Sequence, residues 1–227
     1  MNPYVHITLP SVRNQALKYV NFSRYTSGVI IREFAYTIIK WEGKIMKKIV
    51  VVLGSPRKKG NSAILAYSAI EGIIAANGIY EVFYLNGMNI RPCQACELCK
   101  SNSNKKCIIN DDMQLIYPKL DAADSLLLAS PIYMFSVTAQ LKLFMDRCHA
   151  NTQALSGKKI GILLTYGDPN EKTSGVMNAV NTLTDEYNYT HSRIVGILYG
   201  SANEKGTIVS NTQLMGQAFE LGKMLAE

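Results

Sequence analysis

The sequence predicts an α/β protein built on a parallel, doubly wound sheet, and two observations lead to this fold class. Between residues 46 and 227, five short apolar runs alternate with stretches in which apolar residues recur at helical spacing. Parallel strands need crossover connections, so this alternation places helices on both faces of one sheet. Hydrophobic residues make up 48% of the chain and charged residues only 18%, a composition that excludes intrinsic disorder for most of it.

The predicted strands are short runs rich in Val, Ile, Leu and Tyr. They are Ile49 to Leu53, Tyr80 to Leu85, Ser125 to Ala129, Ile160 to Thr165 and Ile194 to Tyr199. Helices are predicted from Asn61 to about Asn77 and over residues 137–148. Two more helices follow from apolar rows at Val176, Val180, Leu183 and Tyr187, and at Leu214, Ala218, Leu221 and Leu225.

Residues 1–45 stand apart from this alternation and form a predicted N-terminal extension. They carry six Lys or Arg against two Glu, so they hold +4 of the net charge of +7. Apolar residues at Ile30, Ile31, Phe34, Ile38 and Trp41 predict an amphipathic helix that docks on the domain, on a partner or on a membrane surface. The alternative is an upstream segment without function, because Met46 directly precedes the first strand.

The basic charge does not indicate a nucleic-acid partner, because no basic cluster is interleaved with stacking aromatics and no recognition-helix pattern is present. No apolar run reaches the roughly 18 residues that a transmembrane helix requires. The first residues also lack the pattern of a secretory signal. The sequence therefore predicts a cytoplasmic protein without a transmembrane segment.

A glycine-bounded polar turn follows the first strand and leads directly into the first helix. It reads Gly54-Ser-Pro-Arg-Lys-Lys-Gly-Asn-Ser62. Unpaired N–H groups and the helix dipole bind anions at such a position, and Ser55, Arg57, Asn61 and Ser62 offer further donors. The turn fits neither a Walker loop, which has Lys-Ser/Thr after its second glycine, nor a dinucleotide fingerprint. This turn, residues 54–62, which we call the phosphate loop, therefore predicts a phosphate site, with a simply capped helix as the alternative.

Four cysteines lie within a connection of about 25 residues, residues 86–110, which we call the cysteine loop. A connection of this length is too long for an ordinary loop of a compact domain. Their spacing is Cys93-x2-Cys96-x2-Cys99-x7-Cys107. Two x2 steps in direct succession are typical of [4Fe–4S] ligation, whereas four-cysteine zinc sites usually use two separated C-x2-C pairs. Zinc remains the main alternative, and disulfides are less favoured because nothing indicates an oxidising compartment.

The polar residues around these cysteines are predicted to be structural. Asp111 and Asp112 begin a helix near Asn110, where acidic residues favour the positive end of the helix dipole, and Pro118 is expected to kink or split that helix. Cys148 is predicted to be a small buried hydrophobe. Its neighbour His149 cannot form a nucleophilic pair with it, because adjacent helical residues do not face each other.

With both motifs considered, the sequence resembles the iron–sulfur flavoproteins, a branch of the flavodoxin-like NADPH-dependent FMN reductase superfamily. The resemblance covers residues 46–227. It rests on the turn from Gly54 to Ser62 and on the four cysteines leading into Asp111-Asp-Met113. It also rests on Ala129-Ser-Pro-Ile-Tyr133, followed by Leu141-Lys142 and by Phe144 through Arg147. It implies a five-stranded sheet in the order 2-1-3-4-5, one FMN and one [4Fe–4S] cluster per subunit, and a homodimer or homotetramer.

The resemblance also implies residue roles. The FMN phosphate is expected on Ser55, Arg57, Asn61 and Ser62, and the cluster on Cys93, Cys96, Cys99 and Cys107. The isoalloxazine ring is expected on Pro131, Ile132, Tyr133, Met134 and Phe135, in agreement with the rule that ligands sit beyond the carboxyl ends of parallel strands. Tyr166 and Gly167 form a third contact. Asp146 and Arg147 recur in the resemblance, although an ion pair at a helix end explains them equally well.

The expected function is electron transfer between FMN and the cluster, from a ferredoxin-like donor to an acceptor such as dioxygen or peroxide, with no side chain acting in acid/base catalysis. Two alternatives remain. One is an NAD(P)H-dependent reductase of flavin, quinone or nitro compounds, in which the cysteines are secondary. The other is a zinc-stapled flavodoxin-like module without enzymatic activity.

Overall fold

The computed structural model describes residues 46–101 and 106–227, and the predicted extension over residues 1–45 lies outside the described residues. The strands are β1 (Lys48–Leu53), β2 (Ile79–Tyr84), β3 (Ser125–Pro131), β4 (Lys159–Tyr166) and β5 (Arg193–Ser201). The helices are α1 (Asn61–Ala75), α2 (Leu98–Ser101), α3 (Met113–Ala122), α4 (Ala139–Cys148), α5 (Thr152–Leu155), α6 (Val176–Tyr189) and α7 (Thr212–Ala226). Short 3-10 turns are Leu85–Gly87, His149–Asn151 and Thr207–Ser210.

The described strands form one parallel sheet in the order β2-β1-β3-β4-β5, which confirms the predicted flavodoxin-like fold. In β1, Ile49 lies opposite Tyr80 of β2 and Ser125 of β3. Strand pairing extends beyond the predicted ends, since Pro131 pairs with Thr165 and Tyr166 with Ser201. The carboxyl ends of β3, β4 and β5 therefore lead directly into the loops at one edge of the sheet.

The core lies on both faces of the sheet. Ile49, Val51 and Leu53 pack on one face with apolar residues of α1 and α7, and Val50 and Val52 pack on the other face with residues of α3, α4 and α6. Because both faces are covered, β1 is a continuous apolar run without polar alternation.

The start and the continuity of α3 differ from the expectation. The helix begins at Met113 and not near Asn110, and Pro118 does not split it, since α3 runs through Pro118 as one element. Proline removes one N–H, which leaves only the carbonyl of Gln114 without its helical partner. Burial of Ile116 and Leu120 in the core stabilises the continuous helix despite that loss.

None of the helices in the described ranges is both long and apolar enough to cross a membrane.

Candidate functional site

The loop between β1 and α1 is fixed against β3 and α4. The Gly54 N–H donates to the Ala129 carbonyl at 2.8 Å, and Thr138 Oγ1 donates to the Gly54 carbonyl at 2.8 Å. The Thr138 hydroxyl also caps α4 by accepting from the Leu141 N–H. One side chain thus holds the loop and the start of α4 in register at the carboxyl edge of the sheet.

Helix α1 begins with unused donors. Gly60 is its N-cap residue, and no side chain of the described residues caps it. The first N–H groups of a helix have no intrahelical partner, so they point into the loop together with the positive end of the dipole. Ser62 Oγ is buried, with 1% of the residue exposed, and finds no hydrogen-bond partner in the described chain. A phosphate group fits this position, because it accepts hydrogen bonds from all of these donors.

Asn61 is used differently from its neighbours. Its amide nitrogen donates to the carbonyls of Ala202 and Glu204 at 2.9 and 2.8 Å. Its amide oxygen accepts from the N–H of Gly206 at 2.8 Å. The side chain therefore fastens the loop after β5 to the start of α1, and its amide groups are already used within the described chain.

The loops after β1, β3, β4 and β5 enclose a cavity of about 320 Å³, which we call the edge cavity. Most of the predicted FMN contacts line it: Ser55, Arg57, Asn61, Ser62, Pro131, Ile132, Tyr133, Tyr166 and Gly167. Five further residues line it that were not predicted: Gly60, Thr165, Ala202, Asn203 and Lys205. The strand-end rule offered a signal for the last three, because their loop follows β5 at the same edge.

The predicted ring-contact loop contains an unusual turn. Met134 and Phe135 have φ angles of +46° and +65°, a left-handed conformation that non-glycine residues rarely adopt. They are 88% and 60% exposed and are not among the residues that line the edge cavity. Asn178 Nδ2 donates to the Phe135 carbonyl at 3.2 Å, so α6 supports the turn. Exposed apolar side chains held in a costly backbone conformation indicate a functional rim.

The four predicted ligand cysteines line a second cavity of about 180 Å³, which we call the cysteine cavity. Cys93 and Cys96 are exposed, and Cys99 and Cys107 are partly buried. Ala95 and Glu97, on either side of Cys96, have φ angles of +50° and +57°, so the backbone curls around that residue. Burial and the nearby Cys107, Cys93 and Cys96 thiols raise the pKa of Cys99.

In the described ranges, no group of three or more His, Cys, Asp or Glu side chains is arranged around a single metal ion. A cubane cluster holds its thiolate ligands farther apart than one ion does, because the thiolates bind different iron atoms. The donor chemistry of the cysteine cavity, four thiols around one space, fits such a group.

Both ends of the cysteine loop are tied to the start of α3. Asp111 Oδ2 accepts from the Arg91 N–H at 2.9 Å, and Asp112 Oδ2 accepts from the Asn89 N–H at 2.7 Å. Gln114 Nε2 donates to the Cys107 carbonyl at 2.9 Å. The two acidic residues are structural, as predicted, but they mainly close a long loop by tertiary contacts.

Arg147 lies beneath this loop with 1% of the residue exposed, and its Nη2 lies 3.1 Å from Asp111 Oδ1. Burial alone raises the pKa of Asp111, but hydrogen bonds from Arg147 and from the N–H groups of Arg91 and Met113 outweigh it and lower that pKa. Burial acts to lower the pKa of Arg147, and the Asp111 hydrogen bond reverses this and raises it. The suggested pairing of Asp146 with Arg147 is wrong, because Asp146 pairs with Lys142.

The two cavities lie at opposite ends of α4. Thr138, at its start, contacts the loop of the edge cavity, and Asp146 and Arg147, near its end, line the cysteine cavity. Ten residues of α-helix span about 15 Å. Among the described residues the two cavities have separate linings.

A third cavity, of about 380 Å³, lies between α4 and α6 beside the cysteine loop. Cys148 and Glu186 line it, together with Cys93 and His149. Cys148 is buried, as predicted, and burial raises its pKa. Burial, helped by Asp146 and opposed by Lys142, raises the pKa of Glu186 to about 7. Glu186 was not predictable from the sequence, because it is one of many polar residues on α6.

A family model described as NADPH-dependent FMN reductase matches residues 47–204. An iron–sulfur flavoprotein from Archaeoglobus fulgidus is 33% identical over 138 residues, 59% of this chain and 61% of that protein. One from Methanosarcina thermophila is 31% identical over 151 residues, 65% of this chain and 76% of that protein. The chain thus spans less than two thirds of the length of the first of these relatives.

The fold is similar to that of an NAD(P)H:quinone oxidoreductase from Methanothermobacter marburgensis, with a TM-score of 0.63 and 20% identity over 80% of this chain and 96% of that chain. At that identity the likeness concerns the fold alone. The family model covers more than half of the chain, so the chain belongs to the NADPH-dependent FMN reductase family. This confirms the family predicted from the phosphate loop and the cysteines.

Proposed function

We propose that the protein is a redox protein that binds FMN in the edge cavity and a [4Fe–4S] cluster on Cys93, Cys96, Cys99 and Cys107, and passes electrons between them. The observation that carries this proposal is the pairing of two different cavities at the two ends of α4, one with phosphate-binding donors and one with four thiols. When both groups are bound, FMN exchanges electrons in pairs or singly and the cluster exchanges one at a time.

In the edge cavity, the donors of Ser62 and the start of α1 hold the phosphate, and Arg57 adds a charge-assisted bond. Tyr133 and Tyr166 offer aromatic faces to the ring at the ends of β3 and β4. Met134 and Phe135 extend this apolar surface at the rim. None of these side chains needs to transfer a proton, so binding and orientation are their whole task.

In the cysteine cavity, the anchored loop presents Cys93, Cys96 and Cys107 from irregular backbone and Cys99 from the single turn α2. The contacts of Asp111, Asp112 and Gln114 close the loop before any ligand binds. The loop therefore loses less conformational entropy when the ligand binds. Four bonds to the cluster then fix the exposed part around Cys93 and Cys96.

The proposed donor is a ferredoxin-like protein, and the proposed acceptor is an oxidant such as dioxygen or peroxide. The proposed assembly is a homodimer or homotetramer, and the proposed location is the cytoplasm. The family resemblance supports these assignments, and the exposed basic residues around the phosphate loop are suited to an acidic donor.

A second candidate is an NAD(P)H-dependent reductase. The family description and the exposed apolar rim at Met134 and Phe135, which leaves room for a planar reactant, favour it. Steady-state oxidation of NAD(P)H distinguishes the two functions. Rapid turnover with a quinone supports the reductase, whereas slow oxidation together with fast reduction by a ferredoxin supports the carrier.

The deciding experiment is anaerobic purification of the full chain, followed by a visible spectrum and counts of iron, acid-labile sulfide, zinc and flavin. We expect one FMN, four iron and four sulfide per chain. Zinc in place of iron and sulfide supports the zinc-stapled module, and protein that contains neither metal nor flavin contradicts all three functions.

Removal of one ligand thiol tests whether the two sites are separate. We expect Cys96→Ala to lose iron and keep FMN, because Cys96 lines only the cysteine cavity within the described chain. Cys148→Ala is the matched control and should keep both groups, since that thiol is buried outside the cysteine cavity. Loss of iron and flavin together in Cys96→Ala, with a folded protein by circular dichroism, means that the two sites are not separable.

A further inference from the structure

We propose that Arg147 is a positioning residue for the iron–sulfur cluster: its guanidinium donates a hydrogen bond to the Cys107 thiolate and raises the reduction potential of the bound cluster. This inference rests on the proposed function. Its geometric basis is a distance of 3.4 Å between Arg147 Nη2 and Cys107 Sγ, which is within hydrogen-bond range for sulfur.

The guanidinium is held on several sides, so its direction towards the sulfur is fixed. Nη1 donates to the Arg91 carbonyl at 2.9 Å, and Nη2 donates to Asp111 Oδ1 at 3.1 Å. Tyr117 donates its hydroxyl to the Arg147 carbonyl at 3.0 Å, which fixes the backbone. A planar group with this many contacts cannot turn away from Cys107 without breaking several of them.

Fold stability alone does not account for this arrangement. A buried ion pair contributes little net stability, because the desolvation of both charges offsets their attraction. Arg147 and Asp111 are 1% and 0% exposed in their side chains, so both charges bear this cost. A guanidinium kept there and aimed at a predicted ligand sulfur points to a task at the sulfur itself.

The electrostatic consequence follows from the charge that the cluster gains. Reduction adds one electron, part of whose charge falls on the thiolate ligands, and a charged donor strengthens its hydrogen bond as that charge grows. The reduced form is therefore stabilised more than the oxidised form. No proton moves in this step, because a guanidinium does not deprotonate in proteins.

Arg147→Lys tests the inference, because one ammonium keeps the charge but cannot meet Asp111 and Cys107 together as the guanidinium fork does. We expect full iron and sulfide content and a more negative cluster potential in a redox titration followed by electron paramagnetic resonance. The matched control is Arg91→Lys, which alters an exposed guanidinium bonded to the Asn110 carbonyl of the same loop and should leave the potential unchanged. Equal potentials in wild type and Arg147→Lys overturn the inference.

A measurement on the unsubstituted protein keeps the test decisive if Arg147→Lys loses its cluster. Arginine labelled with nitrogen-15 only in the guanidino group should give a nitrogen coupling in the pulsed paramagnetic resonance spectrum of the reduced cluster. The coupling should persist in Arg91→Lys, and its absence from wild type overturns the inference. Wild-type protein without iron and sulfide instead overturns the proposed function, and this inference with it.

Discussion

Ser62 gives the phosphate loop a donor that the described fold does not use. Its hydroxyl is buried and unpartnered, and such a group costs free energy unless a ligand satisfies it. We expect Ser62→Ala to raise the dissociation constant of FMN about 10- to 100-fold, the equivalent of about 1.5–3 kcal/mol for a hydrogen bond to a charged group. Fluorescence titration of the FMN-free protein measures this change.

The control for Ser62 lies on the same helix. Ser68 Oγ donates to the Met215 carbonyl at 2.9 Å and does not line the edge cavity within the described residues. Ser68→Ala should lower the free energy of unfolding and leave FMN affinity unchanged. An unchanged dissociation constant in Ser62→Ala would show that the hydroxyl does not face the phosphate.

Glu186 predicts a pH dependence of stability. Its pKa in the folded state is about 7, raised by burial above its ordinary value of 4.5, so the folded state binds more protons than the unfolded state between these values. The free energy of unfolding therefore falls as pH rises from 4.5 towards 7, by up to about 3 kcal/mol from this group.

Denaturant unfolding of FMN-free protein at pH 5 and pH 8 checks this slope. We expect Glu186→Gln to flatten it and to be more stable than wild type at pH 8, because the amide carries no charge to bury. Asp185→Asn, at the exposed neighbouring position, is the control and should retain the wild-type slope. A Glu186→Gln slope equal to that of wild type would contradict the buried carboxyl as its cause.

Single residues also show where sequence reasoning ends. The residue types at Ser55, Arg57 and Ser62 predicted a place in an anion site, and all three line one cavity. The task of the Asn61 side chain was not predictable, because its partners follow β5, more than 140 residues away. The Asp111–Arg147 pair was equally hidden, since it joins the start of α3 to the end of α4.

Among the elements, the turn at Met134 and Phe135 depends on the residue that immediately precedes α6. Gly175, the N-cap of α6, has φ +79°, and a Cβ placed there would lie 2.4 Å from Phe135 Cα. We expect Gly175→Ala to weaken FMN binding and to lower Tm, because the methyl group displaces the ring-contact turn. Calorimetry and flavin titration measure the two effects.

Gly157 is the matched control for Gly175. Its φ is +74°, and a Cβ there would meet no described atom within 4 Å. Both substitutions carry the cost of a left-handed alanine, about 1–2 kcal/mol, but only Gly175→Ala adds the collision. Equal losses of Tm and unchanged FMN affinity in both variants would show that the turn tolerates displacement.

The elements themselves were largely predictable, because hydrophobic periodicity reports which face of a strand or helix is buried. The predicted runs in β1, α6 and α7 lie in the core, apart from Val180 of α6, which is partly buried against it. The inside of the cysteine loop was not predictable. Its left-handed residues, Ala95 and Glu97, are not glycines, and one turn of helix such as α2 is too short to be predicted from hydrophobic periodicity.

At the scale of the whole molecule, the fold places the proposed FMN and cluster sites at opposite ends of α4 and leaves basic residues around the phosphate loop exposed. These exposed cations are Arg57, Lys58 and Lys59 in the loop and Lys205 after β5. The net charge of the whole chain is +7. An acidic donor approaching this edge gains from long-range attraction, which speeds encounter more than it strengthens the complex.

This attraction predicts a salt dependence of electron transfer. Raising the ionic strength shortens the Debye length from about 10 Å at 0.1 M to about 3 Å at 1 M. We therefore expect the second-order rate of reduction by an acidic ferredoxin, followed by stopped-flow absorbance, to fall at least several-fold over that range. Lys59→Glu should lower the rate at low salt below that of wild type, because it reverses one positive charge in the phosphate loop.

A neutral reductant distinguishes electrostatic attraction of the donor from any effect of salt on the flavin itself. Photoreduced neutral flavin analogues carry no net charge to be attracted, so their rate of reducing the protein should stay constant over the same salt range. A ferredoxin rate that is equally constant would mean that the basic residues around the phosphate loop do not guide the donor. The donor surface would then be sought near the cysteine cavity, where Cys93 and Cys96 are exposed at the far end of α4.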